Sequence, residues 1–97
     1  MYGKKSVTVV FPTYNEEQYI RPAVEDFFSV GVIDEIVVVD NNSRDRTADE
    51  ARRTRARVVQ ETAQGYGHAL RRGLREASSD IVIMAEPDGT FIGRDVL

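Results

Sequence analysis

Short β-branched apolar runs alternate along the chain with stretches whose apolar residues recur at helical spacing, the pattern of a parallel sheet with crossover helices. Four runs predict strands: Ser6–Phe11, Glu35–Asp40, Arg57–Gln60 and Asp80–Ala85. Val7, Val9, Val10 and Phe11, then Ile36–Val39, then Ile81–Met84 are almost continuously apolar, as expected of strands covered on both faces. Between the first two runs, Ile20, Val24, Phe27 and Phe28 mark a helix. It starts between Glu17 and Arg21, because Pro22 is tolerated only in a first turn. Asn41-Asn42-Ser43-Arg44-Asp45 is rich in capping residues and leads into a polar helix through Ala48 and Ala51 to about Thr54. A third helix is expected over Gly67–Ala77, with Ala69, Leu70, Leu74 and Ala77 on its buried stripe and Gly73 allowing close packing. A turn over Glu86–Gly89 ends the fourth strand. The order β-α-β-α-β-α-β is half of a doubly wound fold with right-handed crossovers.

Composition narrows the chemistry. The 97 residues suit one compact domain, and 41% hydrophobic with 30% charged residues exclude wholesale disorder. Thirteen Lys and Arg against sixteen Asp and Glu leave a net charge of −3, a poor match to a polyanion binder, so no nucleic-acid partner is expected. The absence of Cys excludes disulfides, thiolate nucleophiles and Cys-based metal centres, and a single His leaves any metal to oxygen ligands. Val7–Phe11 and Ile81–Ala85 are far shorter than the roughly 20 apolar residues that span a bilayer. Met1–Ser6 has no long apolar run behind it, so a cytoplasmic location is expected.

In such a sheet, ligands bind beyond the carboxyl ends of the strands. Each predicted strand ends in a polar segment: Pro12-Thr13-Tyr14-Asn15-Glu16-Glu17, Asp40-Asn41-Asn42-Ser43, the loop to Gly65-Tyr66-Gly67, and Glu86-Pro87-Asp88-Gly89. Tyr14 offers a flat face for stacking a base, and Pro12 sets the loop that leaves the first strand. Asp40 is an acceptor at the end of a buried strand, suited to a base or ribose donor. Glu86 and Asp88 are two carboxylates one residue apart at a strand end, hard ligands suited to Mg²⁺ or Mn²⁺. Blander readings stand beside these. Glu16 can oppose a helix dipole, Asn15 or Asp45 can be caps, Tyr14 can be packing, and Glu86-Pro87-Asp88-Gly89 can be a turn. His68, in a first helical turn, reads as an exposed residue without a catalytic role. Arg52, Arg53, Arg55 and Arg57 read as a solvated helix end.

Taken in order, Pro12-Thr13-Tyr14-Asn15-Glu16, Asp40 to Thr47, Gly65-Tyr66-Gly67-His68-Ala69 and Glu86-Pro87-Asp88 resemble the opening half of family 2 glycosyltransferases. The likeness is greatest to the dolichyl- or polyprenyl-phosphate sugar synthases. The resemblance implies a Rossmann-like, three-layer α/β/α half of a GT-A fold with a mostly parallel sheet. It implies binding of a UDP- or GDP-linked sugar with Mg²⁺ or Mn²⁺, for transfer to an acceptor such as a polyprenyl phosphate. Pro12, Tyr14, Glu16 and Asp40 are thereby placed at the nucleoside. Glu86 and Asp88 stand at the acidic metal motif, where Glu86 replaces the usual first Asp and leaves Asp88 the firmer metal ligand. The Gly-rich segment stands near the sugar nucleotide, where glycines permit close backbone approach.

Residues 1–97 are expected to form a single nucleotide-sugar-binding domain, shortened relative to that family and incomplete as a catalyst, with no catalytic base identifiable. Self-association through the fourth strand, or a missing C-terminal half, is expected to complete it. A peripheral position at the cytoplasmic face of a membrane fits a lipid-phosphate acceptor. The competing reading is a non-catalytic regulatory or interaction module of receiver-like type, motivated by Asp40 at the end of an apolar strand. Against it, the acidic pair such a module needs directly after its first strand is displaced to Glu16 and Glu17. An NAD-dependent oxidoreductase is disfavoured because no glycine fingerprint follows the first strand.

Overall fold

A computed structural model describes the chain over residues 1–87. Its elements run β1 (Val7–Thr13), α1 (Ile20–Ser29), β2 (Glu35–Asp40), α2 (Thr47–Arg52), β3 (Arg57–Gln60), α3 (Tyr66–Glu76) and β4 (Ile81–Met84). The four strands form one sheet in the order β3-β2-β1-β4, and every pairing is parallel. Alternation along the central strands divides the core in two. Val7, Val9 and Phe11 of β1 join Ile36 and Val38 of β2 in packing against Ile20 and Val24 of α1 and Ala51 of α2. Val10, Val37 and Val39 face the other way, onto Ala69 of α3. The outcome is the expected three-layer α/β/α architecture.

Several boundaries differ from the sequence reading for identifiable reasons. β1 continues past Phe11 through Pro12 to Thr13. Proline is normally excluded from a central strand because it cannot donate to the ladder. Here Thr13 bonds towards β2, accepting the Asn41 N–H at 2.9 Å, so the neighbouring Pro12 faces the β4 side. On that side pairing stops early, at Val10 with Met84, and the last bond runs from Ala85 N–H to Val10 O. The missing N–H of Pro12 therefore falls beyond the paired region. Pro22 lies in the first turn of α1, as expected. α2 ends at Arg52, short of Thr54.

On α3, Ala69 and Gly73 are buried, whereas Leu74, expected on the buried stripe, is 43% exposed. The approach of the helix explains this. A Cβ on Gly73 would lie 2.2 Å from Val10 Cγ1, so the helix touches the sheet along the Ala69–Gly73 line, and Leu74 is turned about 100° away from it. The arginines around β3 are exposed, as expected of a solvated helix end, and make local contacts: Arg52 pairs with Asp49, Arg53 with Glu50, and Arg57 with Glu35 and Glu76, while Arg55 covers the Phe28 ring at 4.1 Å. Among the described residues, no helix is long and apolar enough to cross a membrane.

Candidate functional site

β2 and β3 lie on one side of β1 and β4 on the other, so the winding reverses between β1 and β4, where a doubly wound sheet opens a crevice at its carboxyl edge. A cavity of about 240 Å³ occupies this place, walled by Pro12, Thr13, Tyr14, Glu16, Asn41, Gln64, Gly65, Tyr66, Ala69 and Glu86. Pro12, Tyr14 and Glu16 thus meet Glu86, distant in sequence, in one cleft. Asp88 and the second half of the Glu86–Gly89 turn lie outside the described residues.

The β1–α1 loop is held open by the loop after β2. Asn15 adopts a left-handed conformation at φ 54°, which its short polar side chain tolerates. Its N–H donates to Ser43 Oγ at 2.9 Å, and its Oδ1 accepts the Arg44 N–H at 2.9 Å. The Glu16 N–H donates to Thr47 Oγ1 at 2.8 Å, and the Glu17 N–H to Asp45 Oδ2 at 3.2 Å. Between these fixed points Tyr14 stands 46% exposed on the cleft wall, a ring available for stacking.

Asp45 combines capping with this cross-loop bond, because its Oδ1 accepts both the N–H and the hydroxyl of Thr47. Burial pushes the Asp45 carboxyl up, but the bonds from Thr47 and Glu17 outweigh it and hold the group below its ordinary value of 3.8. Asp34 and Asp80, at the opposite edge of the sheet, are held down foremost by the N–H groups of Val7 and Ser6. A carboxylate depressed in the folded state adds stability above its unfolded value and loses it as pH falls through the folded one. Thermal unfolding measured against pH should therefore show stability dropping below about pH 4, with a shallower drop in Asp45→Asn.

Asp40 is placed differently from the other predicted site residues. It is 5% exposed and is not part of the cleft wall. Its Oδ1 accepts the Ser43 N–H at 3.0 Å and its Oδ2 accepts Gln60 Nε2 at 3.1 Å, so it braces the rim from below. The Gly-rich segment behaves as two distinct glycines. Gly65, at φ 135°, holds a conformation that other residues rarely adopt and turns the chain into α3. Gly67 has no atom within 4 Å of the place a Cβ would take, which leaves its backbone approachable.

Asn41, Gln64 and Tyr66 wall the cleft without having been singled out from sequence. In sequence Asn41 reads as one of a run of capping residues, and Tyr66 as a residue between two glycines. Burial, reinforced by the hydrogen bond and charge of Glu86, pushes the Tyr66 phenol up, which ties the start of α3 to the residues after β4. A divalent cation bridging a diphosphate needs only one or two protein carboxylates, with phosphate oxygens and water completing its shell. The cleft wall carries two, Glu16 and Glu86, and among the described residues no three acidic or imidazole side chains converge. This donor set fits a cation shared with a ligand rather than one caged by the protein alone.

Residues 8–96 match the family described as Glycosyl transferase family 2. The chain belongs to this family. It is 42% identical over 91 residues to an uncharacterized glycosyltransferase of Mycobacterium bovis, covering 94% of this chain and 40% of that protein. It is 37% identical over 93 residues to a dolichol-phosphate mannosyltransferase of Pyrococcus furiosus, covering 84% and 25% of the two chains. The crystal structure of glucosyl-3-phosphoglycerate synthase from Mycobacterium tuberculosis, in complex with Mn²⁺ and UDP-glucose, superposes with a TM-score of 0.76 at 34% identity. It covers 88% of this family 2 chain and 34% of that one. The fold is accordingly the GT-A region of that enzyme, and the chain spans about 40% of the length of the mycobacterial relative.

Proposed function

We propose that this family 2 chain is the donor-binding part of a glycosyltransferase that holds a UDP-linked sugar with Mn²⁺ or Mg²⁺ in the cleft between β1, β4 and α3. One observation carries the reading: Pro12, Tyr14, Glu16 and Glu86, brought from two strand ends, wall a single cleft at the point where the sheet's winding reverses. In this reading Tyr14 stacks on the base, the backbone at Gly65, on the cleft wall, lets the phosphates approach, and Glu86, together with Asp88, holds the cation. Asp40 acts through the rim it braces, by way of its bonds to the Ser43 N–H and to Gln60. When bound, the cation offsets the negative charge that builds on the departing nucleoside diphosphate.

The likeness to a structure holding UDP-glucose and Mn²⁺ favours uridine over guanosine. The P. furiosus relative, named as a dolichol-phosphate mannosyltransferase, supports a polyprenyl-phosphate acceptor, and with it a position at the cytoplasmic membrane face. Residues 1–97 then act as one donor-binding unit, with acceptor binding and the catalytic base supplied by further chain or by a partner. Titration calorimetry of UDP and GDP, each with and without Mn²⁺, tests the reading. UDP should bind only with Mn²⁺, and Glu86→Gln should weaken it about tenfold, the scale of one lost charge-assisted contact. Binding of GDP alone would overturn the uridine assignment, and binding of neither would sink the donor reading.

A further inference from the structure

Asn41 follows Asp40 at the end of β2 and is 3% exposed. A side-chain amide has two N–H donors and an oxygen with two lone pairs. In Asn41 all are engaged. Nδ2 donates to the Glu61 carbonyl at 2.8 Å and the Ala63 carbonyl at 2.9 Å. Oδ1 accepts the Gly65 N–H at 2.9 Å and Gln64 Nε2 at 3.4 Å. The Asn41 backbone N–H donates to Thr13 O at 2.9 Å, and its carbonyl accepts Gln64 Nε2 at 3.3 Å. One residue thus joins the end of β1, the end of β2 and the segment 61–65, three of the stretches that surround the cleft.

That segment has no helix or strand of its own to satisfy its polar backbone. Asn42 also reaches it, donating to Thr62 O and Gln64 Oε1 at 3.0 Å, but from an exposed position where water competes. The amide of Asn41 is the stronger constraint, because the residue is buried and its bonds to Glu61, Ala63 and Gly65 are partly shielded from competing water. Its bond to Gly65 fixes the residue at φ 135° from which α3 departs, and so places Tyr66 on the cleft wall.

We propose that Asn41 is a positioning residue of the donor cleft, acting through Gly65 to hold the start of α3 against the bound nucleotide. The proposal rests on the donor reading above, and its test separates the two. Asn41→Asp keeps the size of the side chain and an acceptor for Gly65 but sets an oxygen against the carbonyls of Glu61 and Ala63. Asn41→Ala removes every contact. Ile36→Val, a core truncation remote from the rim, serves as a variant that loses stability alone. UDP affinity with Mn²⁺ is read by calorimetry, and Gly65 amide exchange by NMR, at a temperature where circular dichroism shows each variant folded.

Both Asn41 variants should bind UDP about tenfold more weakly and exchange the Gly65 amide faster, with Ile36→Val matching wild type in both. If Asn41→Ala does not fold, Asn41→Asp decides. Wild-type affinity in the Asn41 variants, a loss matched by Ile36→Val, or an unchanged Gly65 exchange rate would each overturn the proposal. If the wild-type chain binds no UDP, the donor reading fails, while Gly65 exchange still decides whether Asn41 sets this segment.

Discussion

Replacing Gly73 by alanine is expected to lower the melting temperature by about 5–15 °C, from a net loss of about 1–2 kcal/mol in a domain of this size. The sign is not obvious, because alanine in place of glycine ordinarily favours a helix by about 1 kcal/mol. Against that gain stands a Cβ 2.2 Å from Val10 Cγ1 and 3.3 Å from Val39 Cγ2. Both neighbours are fully buried, and both are β-branched, with little freedom at χ1. Neither can yield by more than an ångström without disturbing β1 or β2, and an approach this short falls in the upper part of the overpacking range, at about 2–3 kcal/mol. Thermal unfolding followed by circular dichroism measures the balance. An alanine variant as stable as wild type would mean that α3 can lift from the sheet, and the cleft wall at Tyr66 with it.

Tyr14→Ala is expected to weaken UDP binding by about 10- to 100-fold while leaving the melting temperature nearly unchanged. Loss of a stacked aromatic costs about 1–3 kcal/mol per base. The ring is 46% exposed and belongs to neither core cluster, so its removal should affect the ligand and not the fold. Tyr14→Phe should retain most of the affinity, since stacking needs the ring and not the hydroxyl. Calorimetry of the three proteins distinguishes the cases. An alanine variant that binds like wild type would place the base elsewhere on the rim.

β1, β2 and β4 were legible from sequence because each is a short apolar run bounded by polar residues, whereas β3 has only Val58 and Val59 between Arg57 and Gln60. β2 and β3 have the expected limits. Pro12 misled the reading of β1, since whether a proline breaks a strand depends on how far the neighbouring strand extends, here only to Met84. Leu74 misled it on α3, since helical spacing marks an apolar face but not which edge of that face a glycine lets approach. At the site, Tyr14, Glu16 and Glu86 were legible as polar residues following apolar runs. Asn41 was not. Its neighbours in space are residues 61–65, about 20 positions further on, and nothing local to Asn41-Asn42 reveals them.

The bonds that hold the cleft open join positions far apart in the chain. Asn15 to Ser43 spans 28 residues, Arg44 to Asn15 spans 29 and Glu16 to Thr47 spans 31. Closing loops of that length is entropically unfavourable until some other contact has brought their ends together. That contact is the pairing of β1 with β2, whose register sets Thr13 beside Asp40 and so delivers the two rims to each other. The cleft therefore matures after the central strand pair, late in folding. A chain stalled before that step has helices and an apolar core in prospect but nowhere to hold a nucleotide. During refolding, recovery of ligand binding should lag behind recovery of secondary structure.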